Sequence, residues 1–285
     1  MAQHQVRKQK GESAHDQPAR DDVPTLSIKL PKKSDLPNVS KPWSDVQLPV
    51  DILLMTVEDC EFLACYTFLR NPIKSYQQNL GFVYFGTMGE SGDVPLKVAL
   101  MRCSEGSSVP GGSLVTVKNA VVGLRPKAVF SVGCLEGLNP EFTKLQLGDV
   151  VVSSKLTTEA FKTPVGRGIM QLVKHADDGW TPPLTSPEVH EVQVCCDGEI
   201  ISGTDPISAK RQCMSDSSKA VGFERGGGGL FAAAQDRKIE WVIVKGISHF
   251  SNDGNASNDF WKSFASIMAA SLVSNMLNDP VVFKE

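Results

Sequence analysis

Four short apolar runs, Val50–Thr56, Lys127–Gly133, Asp149–Ser153 and Ile239–Gly246, constrain this chain more than any other feature. Each has the length of a strand and is apolar almost throughout, which predicts strands buried in a sheet. Segments with apolar residues at helical spacing lie between them, at Glu58–Leu69 and Leu114–Leu124. Trp261–Leu277 predicts a closing helix whose small residues Ala265, Ala269 and Ala270 allow close packing. Strands separated by helices imply an α/β fold with a mostly parallel or mixed central sheet flanked by helices. In such sheets ligands sit beyond the carboxyl ends of the strands. That rule points to Thr56–Glu61, Gly133–Leu138 and Ile247–Asn252.

The remaining elements are less sharply drawn. Gly81–Phe85 and Leu96–Cys103 predict strands that extend the sheet, and Glu188–Cys196 alternates as a half-solvated strand should. Residues 1–47 are rich in Lys, Asp, Ser, Gln and Pro, with almost no aromatic residue before Trp43. A segment that buries so little apolar surface cannot offset its ordering entropy, so a flexible tail is expected before one domain over 48–285. The Trp180-Thr-Pro-Pro-Leu184 segment predicts a loop over the site or at a subunit contact.

Composition excludes several classes. A formal net charge of −3 gives no electrostatic case for nucleic acid or an anionic membrane. No apolar run reaches the roughly 18 to 20 residues of a membrane span, and Met1–Lys10 lacks a hydrophobic signal core. The seven cysteines are odd in number and show no zinc-ligand spacing. They read as reduced, mostly buried thiols in a cytoplasmic protein, with no metal site.

Several motifs follow one another in order. Arg125-Pro-Lys-Ala-Val-Phe-Ser-Val-Gly-Cys-Leu-Glu-Gly-Leu138 leads to Leu147-Gly-Asp-Val-Val-Val-Ser153, and Ile200-Ile-Ser-Gly203 precedes Gly222-Phe-Glu-Arg-Gly-Gly-Gly-Gly-Leu-Phe231. Trp241-Val-Ile-Val-Lys-Gly-Ile-Ser-His-Phe-Ser-Asn-Asp-Gly254 completes the series. Together they resemble the nucleoside phosphorylase and nucleosidase superfamily over about Val50–Phe283, nearest the 5′-methylthioadenosine/S-adenosylhomocysteine nucleosidases. The resemblance implies a fold of the nucleoside phosphorylase type and recognition of a purine nucleoside or 5′-thio-nucleoside, with cleavage of its N-glycosidic bond.

That reaction builds positive charge on the ribosyl ring and negative charge on the departing base. An acid should protonate or hydrogen-bond purine N7, while carboxylates hold the ribose hydroxyls. By resemblance, Glu61 stands where the family positions its water, with Glu58 as the neighbour that could be confused with it. Cys134 takes the place of a small hydroxyl residue, and Glu136 that of a glycine in the same turn. Ser131 stands in place of the phosphorylase arginine. Glu224 matches the first glutamate of a Glu-Met-Glu pattern, whereas Arg225 and Gly226 replace the methionine and the second glutamate. A slip along the glycine run would give Glu224 the ribose role. His249 follows Ser248 where the family has its aspartate acid, and Asp253 is the alternative if that loop is displaced. Phe223, Phe250 and Trp180 are candidates for stacking on a base.

The expected catalytic residues are therefore Glu61 and His249. The expected substrate-binding residues are Cys134, Phe223, Glu224, Arg225, Ser248 and Phe250. No cofactor is implied beyond phosphate as a co-substrate for phosphorolysis, with Arg102 or a partner subunit supplying charge. Family members complete their sites with neighbouring subunits, so the resemblance also implies a homo-oligomer. The competing reading is a catalytically degenerate module that binds a nucleoside without turnover. A glycine run without the Lys-Ser/Thr of a P-loop gives little support to a nucleotide loop.

Overall fold

A computed structural model describes residues 23–89, 95–138, 143–205, 207–208, 211, 220–250, 258–278 and 283. Strands β1 (Ile52–Thr56), β2 (Arg70–Gln77), β3 (Gly81–Met88), β4 (Leu96–Arg102) and β5 (Ala128–Gly137) come first, with helices α1 (Asp59–Thr67) and α2 (Ser113–Leu124) among them. Then follow β6 (Val150–Thr157), β7 (Lys162–Pro164), helix α3 (Arg167–Lys174), β8 (Val194–Ser202) and β9 (Ala220–Glu224). Helix α4 (Gly227–Arg237), β10 (Glu240–Phe250) and helix α5 (Asp259–Met276) complete the series.

The ten strands found among the described residues belong to one mixed sheet. Strand β5 is its hub: it runs parallel to β1 and β10 and antiparallel to β9. Because β10 also pairs with β6, the strands β10, β6, β8, β9 and β5 close a circuit. From its other side β1, β4, β3 and β2 fan outward to an edge. The four apolar runs lie at the heart of this arrangement, with every residue of β1 buried and all of β10 from Trp241 to Ser248 buried. Helices pack on the sheet in two pairs, α1 with α5 and α2 with α4. Glycine and alanine bring α5 close: Gly246 of β10 lies directly under the Ala265 backbone.

Two expectations shift in register or extent. The predicted strand Glu188–Cys196 begins only at Val194 and runs on to Ser202, where the apolar Ile200 and Ile201 are fully buried. Within the segment expected to be a flexible tail, residues 23–47 carry specific contacts, while residues 1–22 lie outside the described residues. Leu26 bridges Leu184, Ser27 donates its N–H to Pro183 at 2.9 Å, and Trp43 meets Phe85 edge-on at 5.6 Å. Val23, Leu26, Ile28, Leu30, Leu36 and Val46 pack on the core. They lack helix or strand periodicity, so composition alone masks their burial. The Trp180–Leu184 segment is accordingly the seat of this N-terminal stretch, and the Trp180 indole donates to Ser271 at 3.1 Å.

Candidate active site

A cavity of about 290 Å³ opens at the ends of β1, β5, β9 and β10. Its lining includes Val57, Glu58 and Glu61 after β1, Cys134, Leu135 and Glu136 from β5, and Lys245, Ser248 and His249 from β10. The segments singled out by the strand-end rule therefore meet around one space, as far as they are described. Asn252 and Asp253 lie outside the described residues.

The floor is Glu61, only 3 % exposed. Its Oε2 accepts the N–H groups of Val57 at 2.6 Å and Glu58 at 3.0 Å, across the start of α1. Its Oε1 accepts from the Cys134 N–H at 2.9 Å and from Lys245 Nζ at 3.0 Å. Gly133, with φ of +148°, makes this approach possible, since a Cβ there would overlap the Glu61 carboxylate. Burial raises the Glu61 pKa, but Lys245 and the backbone donors outweigh it and hold the group below the usual glutamate range. Glu61 is thus a carboxylate with its four lone-pair directions in use, better suited to fixing charge than to taking a proton.

Lys245 is the charged cavity-lining residue that the sequence reading missed. Its ammonium is 3 % exposed and donates also to the Val132 carbonyl at 3.2 Å, which leaves one N–H for the cavity it lines. Burial disfavours its charge, yet Glu61 beside it raises its pKa on balance. The signal was a lysine inside the run Trp241-Val-Ile-Val-Lys-Gly-Ile, since a cation so placed needs a buried carboxylate.

The opposite wall carries His249 and Glu136. These two departures from the family pattern are neighbours: they are register partners where β10 bulges against β5, and His249 Nε2 lies 3.8 Å from Glu136 Oε2. Glu136 lines the space instead of filling it. Ser248 donates to the Leu135 carbonyl at 3.2 Å and sits 3.0 Å from His249 Nδ1.

Glu224, the last residue of β9, is held by the start of α4. Its carboxylate accepts the N–H groups of Gly226 at 2.7 Å and Gly227 at 2.6 Å, and a Cβ on Gly227 would crowd it. The next two N–H groups go to Ser202 and Ser107, each at 3.0 Å. The glycine run is therefore a helix start capped by protein groups. Arg225 pairs with Glu105 at the cavity rim and lies over the Phe223 ring, 5.9 Å from its centroid. Glu58 pairs with Lys262 at 2.7 Å.

Other expected residues sit differently. Cys134 lines the cavity, but hydrogen bonding with the Cys60 thiol and burial push its thiol well above the usual value, so it stays neutral. Phe250 does not line the cavity; it packs its ring on Gly137 and belongs to the core. Trp180 lies with the N-terminal segment. Arg102 pairs with Asp59 and borders an adjoining cavity of about 440 Å³, which shares Val57, Glu58 and Lys262 with the first.

Comparison with known proteins bears on the fold. A 5′-methylthioadenosine/S-adenosylhomocysteine nucleosidase from Colwellia psychrerythraea, solved with adenine, matches with a TM-score of 0.63 at 14 % identity, over 80 % of this chain and 95 % of that one. The S-adenosylhomocysteine nucleosidase of Streptococcus pyogenes, in complex with 5-methylthiotubericidin, matches at 0.64 and 17 %, over 81 % and 97 %. The futalosine hydrolase of Helicobacter pylori matches at 0.62 and 14 %, over 81 % and 98 %. This chain has the nucleosidase fold. A protein from Amphimedon queenslandica named death domain-containing ATP nucleosidase is 24 % identical over 273 residues, covering 82 % of this chain. The chain spans about half the length of that relative, 50 %. No family model matches the sequence. Among the described residues, no helix is long and apolar enough to cross a membrane.

Proposed function

We propose that the cavity binds a purine nucleoside and cleaves its N-glycosidic bond with water. The observation that carries this reading is one cavity with a fixed carboxylate–ammonium pair, Glu61 and Lys245, on its floor and an imidazole–carboxylate pair, His249 and Glu136, on its wall. The first can hold the ribosyl end and the attacking oxygen, through the carboxylate's field and the remaining Lys245 N–H. The second can donate a proton to the departing base. Phe223 and Cys134 would border the ligand, and Arg225 would close the rim over it. Water is favoured over phosphate because Lys245, Arg225 and Lys262 each already face a carboxylate.

The ATP named for the relative suggests that a 5′-phosphorylated nucleoside belongs among the substrates to test. The adjoining cavity beside Arg102 and Lys262 is where such an extension would lie. The experiment is a base-release assay with 5′-methylthioadenosine, S-adenosylhomocysteine, adenosine, inosine and ATP, each with and without phosphate. Release independent of phosphate is the expected result. Phosphate-dependent release would make the protein a phosphorylase. Thermal stabilisation by these ligands without any release would favour a binding module that has lost turnover.

A further inference from the structure

Two thiols with no part in bond cleavage meet where the two cavities adjoin. Cys134, on β5, lines the first cavity, and Cys60, in the first turn of α1, lines the second. Both residues are partly exposed. The backbone brings them together: Cys134 donates its N–H to Glu61, the residue after Cys60, at 2.9 Å. The Cys134 thiol hydrogen-bonds the Cys60 sulfur, so this contact crosses the partition between the cavities. The Ser266 hydroxyl and Glu58 Oε2 each lie 3.9 Å from the Cys60 sulfur. Lys262 pairs with the other Glu58 oxygen at 2.7 Å and lines both cavities.

These surroundings set Cys60 apart from the other cysteines. The hydrogen bond from Cys134 outweighs burial and the nearby Glu61 and Glu58 carboxylates, and it holds the Cys60 thiol below its usual value. The first turn of α1 adds the positive end of its peptide dipoles. Burial raises Cys65 and pushes Cys103 up to about 11. Burial and an adjacent carboxylate push Cys195 up to about 12 and Cys196 up to about 11. Among the six described cysteines, Cys60 is therefore the readiest to become a thiolate, and Cys134 is the thiol in contact with it. An attacking thiolate beside a resolving thiol is the arrangement that disulfide formation requires.

We propose that Cys60 and Cys134 form an oxidation site, which a hydroperoxide converts to a disulfide that ties the first turn of α1 to β5 between the two cavities. The Cys60 thiolate attacks one peroxide oxygen and the O–O bond breaks. The other oxygen leaves as water or an alcohol after taking a proton from solvent, and Cys60 becomes a sulfenic acid. The Cys134 sulfur then attacks the Cys60 sulfur. The S–S bond forms, the S–O bond breaks, and the hydroxide departs as water with the Cys134 proton. Each sulfur loses one electron, and the peroxide gains both. A dithiol reductant reverses the change. The bond withdraws the Cys134 thiol from the cavity wall and fixes the helix start that carries Glu58 and Glu61. Oxidation should therefore weaken ligand binding there.

The test treats the full chain with hydrogen peroxide, blocks the remaining thiols with iodoacetamide and digests it without reduction. Mass spectrometry should find the Cys60 and Cys134 peptides joined, and the denatured protein should titrate two fewer of its seven thiols. Dithiothreitol should restore both. A disulfide at another pair, or Cys60 and Cys134 both alkylated, would overturn the proposal. Cys60→Ser removes the attacking sulfur and should keep all its remaining thiols at the same peroxide dose. A loss of thiols equal to that of wild type would place the reaction elsewhere and refute the pair. A second readout is thermal stabilisation by adenosine and by ATP, and only this readout rests on the nucleoside reading of the site. It should shrink on oxidation of wild type, return with dithiothreitol, and be indifferent to peroxide in Cys60→Ser. Equal stabilisation of oxidised and reduced wild type would refute the link to the cavities. If neither ligand stabilises the reduced protein, the nucleoside reading fails, and the peptide map alone decides the thiol pair.

Discussion

The floor and the wall of the cavity both pair a carboxylate with a cationic side chain, yet they are built in opposite ways. Glu61 and Lys245 touch at 3.0 Å with each side chain 3 % exposed, and backbone groups take up their other hydrogen bonds. Glu136 and His249 stand 3.8 Å apart at the cavity edge, partly open to solvent. A saturated buried pair holds its charges in place and resists proton exchange. A pair at the cavity edge is within reach of solvent and of whatever enters the cavity. Position in the sheet produces the difference: Glu61, in the first turn of α1, is clamped between the N–H groups that precede the helix and Gly133–Cys134 of β5, whereas His249 sits on a bulge at the end of β10.

The largest test is to break the floor. Lys245→Met leaves a buried carboxylate without its counter-charge, and the expected loss of stability is about 3–5 kcal/mol in urea unfolding. The double variant Glu61→Gln with Lys245→Met should recover most of it. A loss below about 1 kcal/mol in the single variant would mean that the pair is not desolvated as described. Acid should act on the same pair. The folded pKa of Glu61 is depressed, so its contribution is present above the unfolded glutamate value and is lost as pH falls through the folded one. Wild-type stability should therefore decline below about pH 4.3, and the double variant should decline less steeply.

The wall should respond in rate and not in stability. His249→Ala is expected to slow base release by about 10²-fold while unfolding shifts by less than about 1 kcal/mol. Equal damage to rate and stability would erase the contrast between the two pairs.

How far the sequence carries this contrast depends on the kind of signal. The buried strands are legible because each is a continuous apolar run, and the cavity follows from where such strands end. Strand Arg70–Gln77 was not legible, since Pro72 and mostly polar residues suit an edge strand that is half exposed. The contacts of residues 23–47 escaped because they have no period. Lys245 was hidden among apolar neighbours until its partner, 184 positions away, could be seen. Glu136 and His249 read as two separate defects because adjacency across β5 and β10, with a register shift between Ile247 and His249, is not written in either segment. Phe250 read as a stacking ring because an aromatic beside a site motif has no sequence mark that separates it from core.

Glu224 sharpens the comparison from a third direction. It binds two backbone N–H groups at the start of α4 and, among the described residues, pairs with no cation, so its role in the folded chain is that of a cap. Glu224→Ala should cost about 1 kcal/mol. If ribose displaces this cap when it binds, the KM for base release should rise as well. An unchanged KM would leave Glu224 as a cap alone.

The smallest effect belongs to the rim. Glu105 and Arg225 are 60 % and 43 % exposed, so their attraction is screened by water and salt. Glu105→Gln should change unfolding by less than about 1 kcal/mol, and by less still in 1 M salt. Its value lies in freeing Arg225, which already lies over Phe223 at the mouth. If a 5′-phosphorylated ligand enters there, the variant should bind it more tightly than the uncharged nucleoside. An equal change for both ligands would show that Arg225 guards the opening without reading the charge of what passes it.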